Sequence, residues 1–136
     1  MGLFDVFKKN SDKKVYKNSI TKRDNILDSP KTHVMKIRPA GETYHQASIK
    51  RLHQSKVSAA SASITFEEYE FEGHTAFKIH VNNAEVGDVP AKRIEELKKY
   101  IDYPFAVKYL KCEPFEGDNG ELVQDIVFSI AFDLNK

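Results

Sequence analysis

Downstream of residue 32 the apolar positions recur mostly with a period of two, the signature of half-buried strands. Residues 32–38 place Val34, Met35 and Ile37 in an apolar run that Pro39-Ala40-Gly41 breaks, which predicts a first strand. Residues 64–72 set Ile64, Phe66, Tyr69 and Phe71 against Thr65, Glu67, Glu70 and Glu72. The alternation slips at Glu67-Glu68, and a bulge would account for it. After a turn at Gly73-His74, residues 76–81 alternate again, with Phe77, Ile79 and Val81 on one face. Asn82-Asn83-Ala84-Glu85 predicts a tight hairpin, because Asn tolerates the left-handed backbone that a two-residue turn needs. Residues 86–90 form the return strand. Residues 105–112 and 123–134 predict two more strands, separated by the turn cluster Glu116-Gly117-Asp118-Asn119-Gly120. In the last strand Ile126, Phe128, Ile130 and Phe132 share a face.

Two stretches have helical periodicity instead. Residues 46–55 bring Ala47, Ile49 and Leu52 to one side. Residues 91–101, opened by Pro90, bring Ile94, Leu97 and Ile101 to one side and Glu95, Glu96, Lys98 and Lys99 to the other. Residues 1–31 follow neither period. Leu3, Phe4 and Phe7 make one or two turns of a short amphipathic helix, and residues 10–31 read as a basic flexible linker ended by Ser29-Pro30. The expected organisation is therefore a disordered or loosely docked N-terminal segment, residues 1–31, before one domain, residues 32–136. The fold class is mainly β with one or two helices: a small OB-like or SH3-like barrel of about six strands.

Composition narrows the chemistry. At 136 residues the chain is about one domain long, and its single cysteine, Cys112, excludes an internal disulfide framework. No run of about 18 apolar residues is present, so no membrane span is expected, and the start of the chain lacks the pattern of a signal peptide; the cytoplasm is the default location. The five histidines have no metal-ligand spacing, and the chain contains no phosphate-loop, dinucleotide or nucleophile-elbow motif. Neither a metal, a cofactor nor catalysis is expected. The carboxylates Glu67, Glu68, Glu70 and Glu72 read as a solvated strand face.

Charge is uneven. Residues 1–31 carry eight Lys/Arg against four Asp/Glu, whereas residues 112–136 carry one against six, so the front of the chain favours an anionic partner. Lys36, Arg38, Tyr44, His45, Lys50 and Arg51 fall within sixteen residues. Cations neutralise phosphates and rings stack on unpaired bases, so this interleaving points to single-stranded nucleic acid. Lys78 adds a further cation. Leu3, Phe4 and Phe7 on a basic leash point instead to a protein partner, which makes an interaction adaptor the alternative.

Residues 76–90, reading Ala-Phe-Lys-Ile-His-Val-Asn-Asn-Ala-Glu-Val-Gly-Asp-Val-Pro, and the helical stretch after them resemble the HIRAN domain, whose members have an Ala-Ile-x-Val strand, a short turn, an x-Ile-Gly-x-x-Pro return strand and a helix. Ala40-Gly41-Glu42-Thr43-Tyr44 resembles the family's Gly-x-x-Tyr/Phe stretch. The resemblance spans residues 34–102. It implies an OB-like barrel, occurring beside helicases and nucleases or alone in bacterial proteins, that grips single-stranded DNA or a DNA end. Carried onto this chain, it makes Tyr44 a stacking aromatic. DNA-gripping members have Asn-x-Tyr-Asp before the Ala-Ile-x-Val strand. This chain has Phe71-Glu72-Gly73-His74-Thr75, without the tyrosine and aspartate, and offers His74 as the ring in their place.

Overall fold

A computed structural model describes residues 14–135. The fold is mainly β, as the alternation predicts. One antiparallel sheet has the order β1 (Val15–Lys17), β3 (Ile64–Phe71), β4 (His74–Val81), β5 (Ala84–Asp88). A second has the order β2 (Thr32–Ile37), β9 (Ile126–Asp133), β6 (Phe105–Cys112). A small hairpin, β7 (Phe115–Glu116) with β8 (Leu122–Val123), caps the loop before β9. Among the described residues there are three short α-helices: α1 (Arg23–Leu27), α2 (Gln46–Gln54) and α3 (Ile94–Tyr100), the last two each preceded by a turn of 3-10 helix.

The core lies between the two sheets. Ile64, Phe66, Phe77, Ile79 and Val81 from one sheet meet Met35, Ile37, Val107, Ile126, Phe128, Ile130 and Phe132 from the other, all fully buried. The rings of Phe66, Phe105 and Phe132 tile this layer, with centroids 5.7 and 5.4 Å apart, at tilts that suit aromatic quadrupoles. Ile49 and Leu52 of α2 and Leu97 of α3 close the layer's open ends.

The sheets approach each other at both edges through single links rather than continuous ladders, an arrangement compatible with a barrel. At one edge Ala40 and Asp88 exchange backbone hydrogen bonds of 2.7 and 2.9 Å. Gly87 makes that approach possible. Its φ is +146°, and a Cβ there would stand 2.4 Å from the Ala40 carbonyl oxygen and 2.9 Å from Pro39 Cβ. At the other edge Ser19 N–H donates to the Phe105 carbonyl at 2.9 Å.

Three expectations need correction. The linker reading fails for residues 14–31, which hold β1 and α1. Its physical basis was the lack of an apolar period, but this segment is held by polar clamps. The Asn18 side chain, buried, accepts from Ile64 N–H at 2.7 Å and donates to the Ala62 carbonyl at 3.0 Å. Arg23 Nε donates to the Val107 carbonyl at 2.8 Å. Only two larger apolar side chains anchor it: Tyr16, packed edge-on against Phe77, and Ile26, 3 % exposed. Helix α1 lies on β6 and β9, where the register pairs Ala106 with Ala131; two methyl side chains let the helix approach closely, and this contact explains why these outward positions are buried.

Second, no bulge interrupts β3 at Glu67-Glu68, for the register with β4 runs unbroken from Ile64 opposite Val81 to Phe71 opposite His74. Glu68 takes an inward position midway along the strand and accepts the Tyr16 hydroxyl at 3.1 Å, while Tyr69 points outward and hydrogen-bonds Asp88. The register instead shifts at Ile79/His80 and Val107/Tyr109. Third, α1 makes a third helix where one or two were expected, while the seven strands of the two sheets among the described residues agree with about six. The predicted hairpin at Asn82-Asn83 is present, with φ of +50° and +70°. The expected helix around Leu3, Phe4 and Phe7 lies outside the described residues.

Candidate functional site

Strand β2 alternates Met35 and Ile37 into the core with Lys36 and Arg38 outward. Pro90, at φ −56°, ends the β5 return and starts the 3-10 turn of Ala91–Arg93 beside β2. The result is an open cleft of about 530 Å³ lined by Lys36, Arg38, Pro90, Lys92 and Arg93. Four of its five lining residues are cationic and none is acidic. Two of the cations are fixed: Arg93 bonds Glu96 at 2.9 Å and donates to the Lys36 carbonyl at 3.1 Å, and Arg38 bonds Asp125. Lys36 and Lys92 have no ion-pair partner among the described residues, so their charges face solvent.

The structure brings Lys36 and Arg38 together and spreads the other expected site residues. Tyr44 stands on the 3-10 turn of Glu42–His45, 86 % exposed. His45 is 3.6 Å from Glu85, which also meets Lys78 at 3.7 Å, and the Lys78 ammonium sits 4.8 Å from the centre of the Tyr69 ring. The Lys78 charge is therefore partly neutralised, and the His45 ring faces a carboxylate. Lys50 and Arg51 lie on the exposed face of α2. His74 opens β4 and lines a separate apolar groove, several residues along the strand from Lys78. Tyr44 is not among the residues that line this groove.

Lys92 and Arg93 were not among the expected site residues, which treat the stretch after Pro90 only as a helix start. A signal was present: two adjacent cations at the start of a helix oppose its dipole, where acidic residues are favoured. A second cleft, also about 530 Å³, is lined by His53, Lys56, Tyr109, Lys111, Cys112 and Glu113 among others. His53 is fixed there by a 2.8 Å bond from Nδ1 to the Cys112 carbonyl. Its Glu113 carboxylate makes it less suited to a polyanion.

Beneath Arg38 lies a carboxyl pair. Glu42 accepts the Ile126 N–H at 2.8 Å and shares a hydrogen bond with Asp125. Burial, then the bond to Asp125, pushes the Glu42 carboxyl from 4.5 up to about 8. Burial also works against the Asp125 carboxylate, but the hydrogen bond from Glu42 and the Arg38 guanidinium outweigh it and hold Asp125 low. At neutral pH Glu42 therefore carries the shared proton, and Asp125 the charge that Arg38 meets. A raised carboxyl favours the folded state most below its ordinary value, and this contribution is lost as pH rises toward about 8. Glu42→Gln keeps an acceptor for Ile126 and supplies a permanent donor to Asp125. It is expected to raise the melting temperature at pH 8.5 relative to the parent, with little change at pH 5. Thermal melts across that range check this; an equal shift at both pH values would show that the proton is not shared.

No family model, curated protein or solved structure matches this chain. Its candidate site therefore stands on geometry. Among the described residues no group of three or more His, Cys, Asp or Glu is placed to hold a metal ion, and no helix is long and apolar enough to cross a membrane.

Proposed function

We propose that this domain is a non-catalytic, cytoplasmic nucleic-acid-binding module that takes single strands or DNA ends. The observation that carries the reading is the cleft of Lys36, Arg38, Lys92 and Arg93, which gathers four cations and no acid in its lining. Phosphates enter this cleft, and the exposed ring of Tyr44 stacks on an unpaired base. Lys50 and Arg51 add to the attracting field, while His45 and Lys78, tied to Glu85, contribute less. The preference for strands and ends rests on the HIRAN resemblance: the strand, hairpin, return strand and helix of residues 76–101 and the Tyr44 turn are the parts it uses.

Polarisation titration with a fluorescent single strand, set against the same sequence as a duplex, tests the reading. Tight binding to the single strand at low salt is expected. Four phosphate contacts give a slope of log affinity against log salt near −3, at about −0.7 per contact on a single strand. Tyr44→Ala should weaken binding by roughly 1–3 kcal/mol, about 5- to 150-fold. Absence of binding at low salt, or an affinity indifferent to Tyr44→Ala, would defeat the proposal.

One feature favours a second reading, a protein-interaction adaptor. An apolar groove of about 450 Å³ runs beside Tyr69, Phe71, Ala76, Val89 and Ile94, and Phe71 is 58 % exposed within it. Apolar grooves of this kind receive short amphipathic segments.

A further inference from the structure

We propose that the groove of Tyr69, Phe71, Ala76, Val89 and Ile94 is the docking site for this chain's own N-terminal segment, with Leu3, Phe4 and Phe7 as its anchors. The inference does not depend on nucleic-acid binding. It begins with the edge of β3. Strand β1 pairs with β3 only from Val15 opposite Glu67 to Lys17 opposite Thr65, and the Glu68 N–H donates to the Lys14 carbonyl at 2.8 Å. Beyond that bond, residues 69–71 of β3 have no strand beside them on that edge among the described residues. The direction of β1 sends the preceding chain along this free edge, toward Phe71 and the mouth of the groove. The Glu70 N–H and carbonyl, which alternation turns toward that edge, are left open for a further stretch of chain to pair.

Reach, size and charge agree with this occupant. Six residues lie between Phe7 and Lys14, a path of seven residue steps. An extended chain of that length spans at most about 25 Å, whereas the groove's Tyr69 and Phe71 stand one and three residues along β3 from Glu68, within about 10 Å. The groove's 450 Å³ is the volume of a site for a few large side chains. Leu3, Phe4 and Phe7 fall at the i, i+1 and i+4 positions that share one face of a helical turn. Lys8, Lys9 and Lys13 follow these anchors, the groove's own lining includes the Asp88 carboxylate, and Glu95 lines the cleft that adjoins it at His74 and Ile94. A docked segment also covers His74, which lines the groove, and so withdraws that ring from any ligand on the other face.

A nitroxide attached through Val6→Cys in the full chain tests this. Burial pushes the Cys112 thiol up to about 11, so near neutral pH the label goes to the new site. The proposal predicts that the methyl signals of Ala76, Val89 and Ile94 lose most of their intensity, unlike those of Val107 and Ile130 in the opposite sheet. Adding Phe4→Ser and Phe7→Ser should restore them. Methyl signals that keep their full intensity in the labelled chain would overturn the proposal. So would broadening seen only when labelled and isotope-bearing molecules are mixed, because the occupant would then be a second copy.

Discussion

Gly87→Ala is expected to destabilise the fold by about 3 kcal/mol, more than the same change at any other glycine among the described residues. Two costs combine there. A side chain at φ +146° is strained in itself, and its Cβ would lie 2.4 Å from the Ala40 carbonyl oxygen, a backbone atom that no rotamer change moves away. Relief requires the Ala40–Asp88 exchange to open, and with it the link between β5 and the chain leaving β2. For a domain of 136 residues that loss corresponds to about 10 °C in melting temperature. Gly73→Ala is the control. Gly73 also has positive φ, +79°, but its added Cβ meets nothing within 4 Å. It should cost only about 1–2 kcal/mol for the left-handed backbone. Urea denaturation of both variants separates the terms. Equal losses would mean that the close approach at Ala40 contributes nothing.

The second large effect concerns binding. Lys36→Glu with Lys92→Glu reverses the two cleft cations whose charges have no partner, and should weaken single-strand binding by roughly 100-fold at low salt while halving the salt slope. Both side chains are exposed, so the fold should change by no more than about 0.5 kcal/mol for each. Lys50→Glu with Arg51→Glu makes the same change in net charge on α2, outside the cleft. The account expects a smaller loss from it. Matching losses would show that overall charge, rather than the cleft, governs association.

These expectations show what the residue pattern carries and what it leaves out. Strands β2 to β6 and β9 were legible because each presents alternate side chains to one buried layer, and nothing else produces the run Ile126, Phe128, Ile130, Phe132. Helices α2 and α3 were legible from their single apolar stripes. Residues 14–31 were not, because Asn18 and Arg23 hold them through backbone carbonyls and amides, and a polar clamp has no period. Glu68 misled for a related reason. A carboxylate at an inward strand position suggests a bulge, whereas here the strand stays regular and the carboxylate accepts the Tyr16 hydroxyl opposite Phe77.

The site divides in the same way. Lys36 and Arg38 are two residues apart on one strand, so their common face follows from the pleat alone. Lys92 and Arg93 join them only because Pro90 turns the chain back beside β2, a tertiary fact. The Glu42–Asp125 pair is separated by most of the chain and has no local signature at all. His74 and Tyr44 looked equivalent as exposed rings, yet the length of β4 and the apolar groove set them apart.

The claim on which the functional account rests is that the cleft beside Pro90 receives the nucleic acid. Amide chemical-shift mapping with a short single strand tests it most directly. The account predicts that the largest changes fall on residues 36–38, on Tyr44 and on residues 91–93. Changes gathered instead around His53, Tyr109 and Lys111, or no changes at saturating oligonucleotide, would contradict it.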